Sequence, residues 1–172
     1  MTNIYESPLS TRYASDYMLN LFSQDTRYQT WRKLWVSLAR AEMQLGLPIS
    51  PKQVAELETH IKDIDYECVK KREKEVRHDV MAHVYAYGKA APSAAGIIHL
   101  GATSCYVTDN ADVVIYRDGL LYLRKELQKY IRKNMTVILC IGNPSTAKKI
   151  VNYLEIDDLV LTNKNEIIKG KI

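Results

Sequence analysis

No apolar run in the 172-residue chain approaches the roughly 20 residues needed to cross a bilayer, so no membrane partner is expected. Met1 to Pro8 lacks the basic stretch and apolar core of a secretory leader. Cysteine is scarce. Cys68, Cys105 and Cys140 are odd in number and lack metal-ligand spacing, so neither a disulfide framework nor a metal site is expected, and a reduced, cytosolic compartment fits best. No dense Lys/Arg run occurs, and the formal net charge is only +4, which argues against a nucleic-acid partner. Internal repeats and low-complexity segments are absent too. What is there is ordinary for a globular protein: 47% hydrophobic and 26% charged residues, in a length that suits one domain with a modest core.

Helical periodicity dominates the first 130 positions. Ser7 to Tyr13 carries Pro8 and reads as an extended arm; Ser15 to Phe22 reads as a short helix. Ser23 or Asp25 can cap the next helix, whose stripe runs through Tyr28, Trp31, Leu34, Trp35, Leu38, Ala41 and Leu45 to a stop at Gly46. Ser50-Pro51-Lys52-Gln53 is a capping box with proline at the first helical position. Asp63-Ile64-Asp65 offers a cap for a charged helix over Tyr66 to Val76. Val80, Val84 and Tyr87 give the following helix its apolar side; His83 and His99 read as packing residues. If its first turn is not already formed, Thr108 or Asp109 can cap a last long helix with a stripe at Val113, Tyr116, Leu120, Leu123, Leu127 and Tyr130, which needs partner helices in a bundle or another subunit.

Two stretches carry chemistry. Arg77-His78-Asp79 sets a cation, an imidazole and a carboxylate side by side. Consecutive residues do not share a helix face, so the trio fits a helix start. There Asp79 either caps the helix or orients His78 for anion binding or proton transfer. Gly96-Ile97-Ile98-His99-Leu100-Gly101-Ala102-Thr103-Ser104-Cys105 places two hydroxyls ahead of a helix. They either cap that helix or hold an anion at its positive end.

These stretches, with Ser7-Pro8-Leu9-Ser10-Thr11-Arg12-Tyr13-Ala14-Ser15, lie in one order: the arm, then Glu75 to His83, then Ala94 to Val107. Over positions of about 5 to 130 the chain resembles the N-terminal domain of the adenylosuccinate lyases, closest to the animal-type enzymes, in the fumarase/aspartase superfamily. The resemblance implies a mainly α fold: an N-terminal helical domain over 1–111, then the start of the superfamily's long-helix bundle over 112–132. It implies a homotetramer whose sites draw on several subunits. It also implies β-elimination of fumarate from adenylosuccinate and from the succinylated carboxamide intermediate of purine synthesis, with no metal or organic cofactor. At matching positions, Arg12 and Tyr13 would contact the nucleotide part of the substrate. Arg77, His78 and Asp79 would line the site, with His78 near the phosphate or assisting the acid. Thr103 and Ser104 would hold the fumarate-side carboxylate.

Two family blocks do not occur in the chain: the Thr-x-x-His-x-Gln-like block bearing the general acid, and the Ser-Ser-x-Met-Pro-x-Lys-x-Asn block bearing the base. From about Lys133 the sequence matches nothing in the family. Over 133–172, Thr136 to Ile141 reads as a strand, Ser145 to Leu154 as a helix, and Leu159 to Leu161 and Ile167-Ile168 as short strands: a divergent tail with a small α/β pattern. Gly142 to Lys149 only superficially resembles a phosphate loop, because it lacks the Gly-Lys-Ser/Thr ending. Two expectations follow. Either the chain is a truncated lyase inactive by itself, or it is a non-catalytic helical module that co-assembles with full-length subunits.

Overall fold

The computed structural model describes residues 6–133 together with Ser145, Lys149 and Asn152; for Ile131 only the backbone is described. The strand and loop expectations over 133–172 therefore lie outside the described residues. The order is a short π-helix at Leu9–Tyr13, then α1 (Asp16–Leu21), α2 (Gln24–Gln44), α3 (Pro51–Thr59), α4 (Tyr66–Val76) and α5 (Asp79–Ala90). A 3₁₀ helix at Pro92–Ile97 and α6 (Ser104–Ile131) follow. Among the described residues there is no strand, and the mainly α fold stands. The chain divides into two compact units, Met1–Arg117 and Asp118–Ile172.

Local chemistry sets most boundaries. The Ser15, Ser23 and Asp65 side chains accept the backbone N–H groups of Met18, Thr26 and Cys68, capping α1, α2 and α4. At α3 both halves of the capping box form: Ser50 Oγ accepts Gln53 N–H, and Gln53 Oε1 accepts Ser50 N–H at 2.9 Å. Ser50→Ala removes both the hydroxyl cap and its reciprocity, and should cost about 1 kcal/mol, read as a lower urea midpoint at unchanged slope. Gly46, at φ +87° just past α2, supplies the left-handed residue that ends it.

In the first unit the core gathers around two indoles. Trp31 and Trp35 are each 1% exposed and pack with Val36, Ala39, Leu57, Val80 and Tyr87. Val107 and Ala111 bring the first turns of α6 into the same core. Polar ties join the helices: Tyr106 Oη donates to Leu34 O at 3.0 Å, Tyr87 Oη to Leu57 O at 2.6 Å, and Gln53 Nε2 to Ser93 O at 2.8 Å. Arg32 is also buried. Its Nη1 donates to the carbonyls of His60 and Asp63, and its guanidinium lies 4.2 Å from the centre of the Tyr87 ring.

Four expectations change. The arm is not extended over Leu9 to Tyr13: Ser7 O accepts Ser10 N–H and Thr11 N–H, and Ala14 N–H reaches back to Leu9 O at 2.7 Å. Pro8 restricts the residue before it, not those after, and itself sits in the helical region. The α2 stripe buries Val36 and Ala39, while Ala41 and Leu45 face solvent, because Trp31 and Trp35 fix which side of the helix points inward. Thr108 and Asp109 do not cap α6. The helix already starts at Ser104, and Thr108 Oγ1 donates to Ser104 O within it. His78, not Asp79, is the N-cap of α5. On α6, Val113 and Tyr116 are exposed in the first unit, and Leu120, Leu123 and Tyr130 in the second.

Candidate functional site

α4 ends and α5 begins within three residues. Arg77 takes the left-handed conformation (φ 52°, ψ 40°) and its N–H closes α4 on Glu73 O at 2.7 Å. His78 is extended, and Asp79 is the first residue of α5. This one reversal separates three consecutive side chains that a helix would point apart at fixed steps. All three are exposed. His78 Nδ1 accepts the Met81 N–H at 3.5 Å and lies 3.6 Å from Asp79 Oδ1. With Nδ1 turned toward the helix, the neutral ring carries its proton on Nε2 and offers it outward. Asp79 Oδ1 accepts Val80 N–H at 2.7 Å, so the carboxylate sits at the positive end of α5.

His78 also stands on a cleft of about 650 Å³ whose walls include Val76, Met81, Val84 and Tyr85. Two cations attend the Tyr85 ring: Arg72 Cζ and Lys89 Nζ each lie 4.8 Å from its centre. Arg72 is paired as well with Glu75 at 3.0 Å.

The turn ahead of α6 holds two left-handed residues, His99 (φ 66°) and Gly101 (φ 62°). Ala102 N–H donates to His99 O at 3.4 Å. Thr103, exposed, immediately precedes α6; Ser104, half-buried, opens it. Two hydroxyls thus stand at the N-terminus of a 28-residue helix, where unpaired N–H groups and the helix dipole favour an anion. Burial first, and then a charge on His78, lower the pKa of His99.

Arg12 and Tyr13 lie in the π-helix, both exposed, and no described hydrogen bond, ion pair or ring contact joins them to the other candidates. The arrangement therefore presents two anion-seeking elements, the Arg77–Asp79 reversal and the Thr103–Ser104 helix start, with Arg12–Tyr13 on a separate piece of surface chain. Among the described residues no group of three His, Cys, Asp or Glu could hold a metal ion.

The structure adds one side chain that sequence reading passed over, Glu42, and corrects the burial expected of another, His99. His99 is half-buried rather than core, and its Nδ1 accepts the Trp35 indole N–H at 3.0 Å. Glu42 reaches the Gly101 turn from α2: its Oε1 lies 3.7 Å from where a Cβ on Gly101 would sit, and its Oε2 is buried without a hydrogen-bond partner. Burial raises the pKa of that carboxyl. Glu42 lies seven residues after Trp35, two helical turns along the same face, and that spacing is the one sequence signal that could have pointed to it.

No family model matches the chain. An adenylosuccinate lyase of Schizosaccharomyces pombe is 51% identical to it over 132 residues, 75% of this chain and 27% of that protein. One from Caenorhabditis briggsae is 42% identical over 129 residues, 74% of this chain and 27% of that one. The higher fungal figure does not favour the animal-type enzymes that the motifs suggested. A crystal structure of a fumarate lyase from Mesorhizobium sp. BNC1 superposes with a TM-score of 0.58 at 26% identity, covering 67% of this chain and 27% of that one. The chain spans about a quarter of the length of the relatives it matches.

Proposed function

Because the matched three quarters of this chain is related to the adenylosuccinate lyases, we propose that its first unit supplies the N-terminal share of a site that eliminates fumarate from adenylosuccinate and from the succinylated carboxamide intermediate. The substrates carry a phosphate and two carboxylates, and the candidate residues suit them. Thr103, Ser104 and the start of α6 hold one of the two carboxylates that leave in fumarate. Arg77 grips anionic oxygen by charge-assisted hydrogen bonds. Arg12 and Tyr13 meet the nucleotide part. His78, presenting Nε2–H, donates to phosphate or assists the acid that protonates the departing nitrogen. Asp79 lines the site beside it, its carboxylate held by the Val80 N–H. In this reading the abstracted proton and the leaving-group proton are handled by groups outside this chain, and neither metal nor organic cofactor takes part.

What supports the reading is the 51% identity over 132 residues to an adenylosuccinate lyase, together with two elements suited to anions, the Arg77–Asp79 reversal and the helix start at Thr103 and Ser104. Further proposals follow from it. The reaction runs in the cytosol, in a homotetramer whose bundle helices cover the exposed apolar residues of α6. The polypeptide of 172 residues, lacking the acid and base blocks, does not turn over alone. The second reading, a helical module that co-assembles with full-length subunits, is favoured by those same exposed residues, Val113, Tyr116, Leu120 and Leu123.

A graft tests the catalytic reading. Residues 6–131 replace the matching segment of the fission-yeast lyase, and fumarate release from adenylosuccinate is followed. Turnover within about tenfold of the parent, or 1.4 kcal/mol in barrier, is expected. A graft that assembles as the parent does but releases no fumarate overturns the reading and leaves the module.

A further inference from the structure

His99 holds a left-handed backbone conformation, φ 66°, that non-glycine residues rarely adopt, and among the described residues its side chain is hydrogen-bonded from one direction. The Trp35 indole N–H points at Nδ1 over 3.0 Å, and the two rings meet edge to face at 82° with centres 6.0 Å apart. Trp35 cannot swing away. It is 1% exposed, with Trp31 set edge-on at 6.3 Å and the Tyr87 ring at 6.0 Å. An indole nitrogen only donates. The Nδ1 it meets must therefore accept, and the neutral imidazole must carry its proton on Nε2. An imidazolium at 99 would set an Nδ1–H against the indole N–H, donor against donor.

We propose that Trp35 is a positioning residue: its N–H holds His99 as the Nε2–H tautomer, so that this imidazole offers one neutral donor, and no free acceptor, beside His78 and the Gly101–Ser104 turn. The ligand class that such a donor suits is an anionic oxygen, carboxylate or phosphate, and this use of the lock rests on the lyase reading; the lock itself does not. The surroundings act in the same direction. Burial disfavours the charged ring, and a proton on His78 in the α4–α5 reversal would disfavour it further. Glu42, from α2, approaches the same turn at Gly101.

The test reads tautomers directly. The full chain, labelled with ¹⁵N-histidine, is followed by long-range nitrogen–proton correlation between pH 5 and 8, and His99 is assigned among the four histidines by its loss in His99→Gln. The expected result is a single Nε2–H form that charges below the ordinary histidine value of about 6.5. Trp35→Phe should give mixed tautomers and a titration moved up toward that value. Because phenylalanine leaves space in the core, benzothienylalanine at position 35 provides the decisive comparison: it keeps the bicyclic shape and lacks the N–H. An Nδ1–H form in the unsubstituted chain, or an unchanged Nε2–H form with benzothienylalanine in place, overturns the proposal. A locked His99 in a graft that releases no fumarate would sink the lyase reading alone, and an unlocked His99 in an active graft would sink the lock alone.

Discussion

Exchanging His78 for asparagine in the grafted enzyme should lower kcat for fumarate release by about 10²-fold, the lower end of what one positioned proton donor supplies, while stability stays within about 0.5 kcal/mol of the parent. The two effects separate because His78 does two things. As the N-cap of α5 its Nδ1 accepts the Met81 N–H, at a long 3.5 Å. Asparagine is among the best N-cap residues, so its side-chain oxygen takes over that bond with nothing lost. Asparagine cannot supply an imidazole Nε2–H at the rim of the cleft. His78→Ala loses both, and should add about 1 kcal/mol of destabilisation to the same loss of rate. A kcat for His78→Asn equal to the parent's would reduce His78 to a cap and leave the site without its imidazole. Circular dichroism and urea midpoints on the same three proteins keep the two roles apart.

The division between what could be read from the chain and what could not follows the range of the interactions. Caps and stops are decided within four residues, so Ser23, Ser50, Asp65 and Gly46 fall where their chemistry puts them. His78 shows how this local logic also misleads: Asp79 is the better capping residue by preference, yet the left-handed Arg77 displaces the boundary by one position. The π-helix at Leu9 to Tyr13 depends on four hydrogen bonds gathered on the Ser7 carbonyl, and no periodicity announces such a hub. Arg32 was invisible for the opposite reason. A cation on an amphipathic helix reads as surface, but its carbonyl partners, His60 and Asp63, lie about thirty positions away. The site divides in the same way. The residue types in Arg77-His78-Asp79 and Thr103-Ser104 signal anion chemistry in the sequence itself, whereas the Trp35–His99 bond spans 64 positions and belongs to the packing of α2 against the turn before α6.

Acid should unfold this chain through His83. The ring is 3% exposed, lies 3.9 Å from the Tyr28 ring and 5.3 Å from Trp31 by ring centres, and is pushed down to a pKa of about 4, first by burial and then by the Arg32 charge, with Asp79 opposing. In the unfolded chain the same imidazole titrates near 6.5. Below that pH the unfolded form takes up a proton that the folded form refuses, so stability is complete above about pH 6.5 and drains away as pH falls toward 4. Below 4 both forms are charged and the loss levels off. A gap of about 2.5 pH units at 1.36 kcal/mol each sets the loss at about 3 kcal/mol, a large part of the 5–15 kcal/mol that holds a domain folded. Glu42 works the other way, since burial raises its carboxyl and favours the protonated, folded form as pH falls. The difference between two proteins removes it and every other group common to both. In His83→Phe the aromatic stack survives without a titrating nitrogen, so its urea midpoint should fall less between pH 7 and pH 4 than that of the parent, by the equivalent of about 3 kcal/mol. Parallel pH curves for the two would mean that the imidazole is charged inside the fold. Arg32, already buried on the carbonyls of His60 and Asp63 and stacked on Tyr87, would then face a second cation across the same aromatic core.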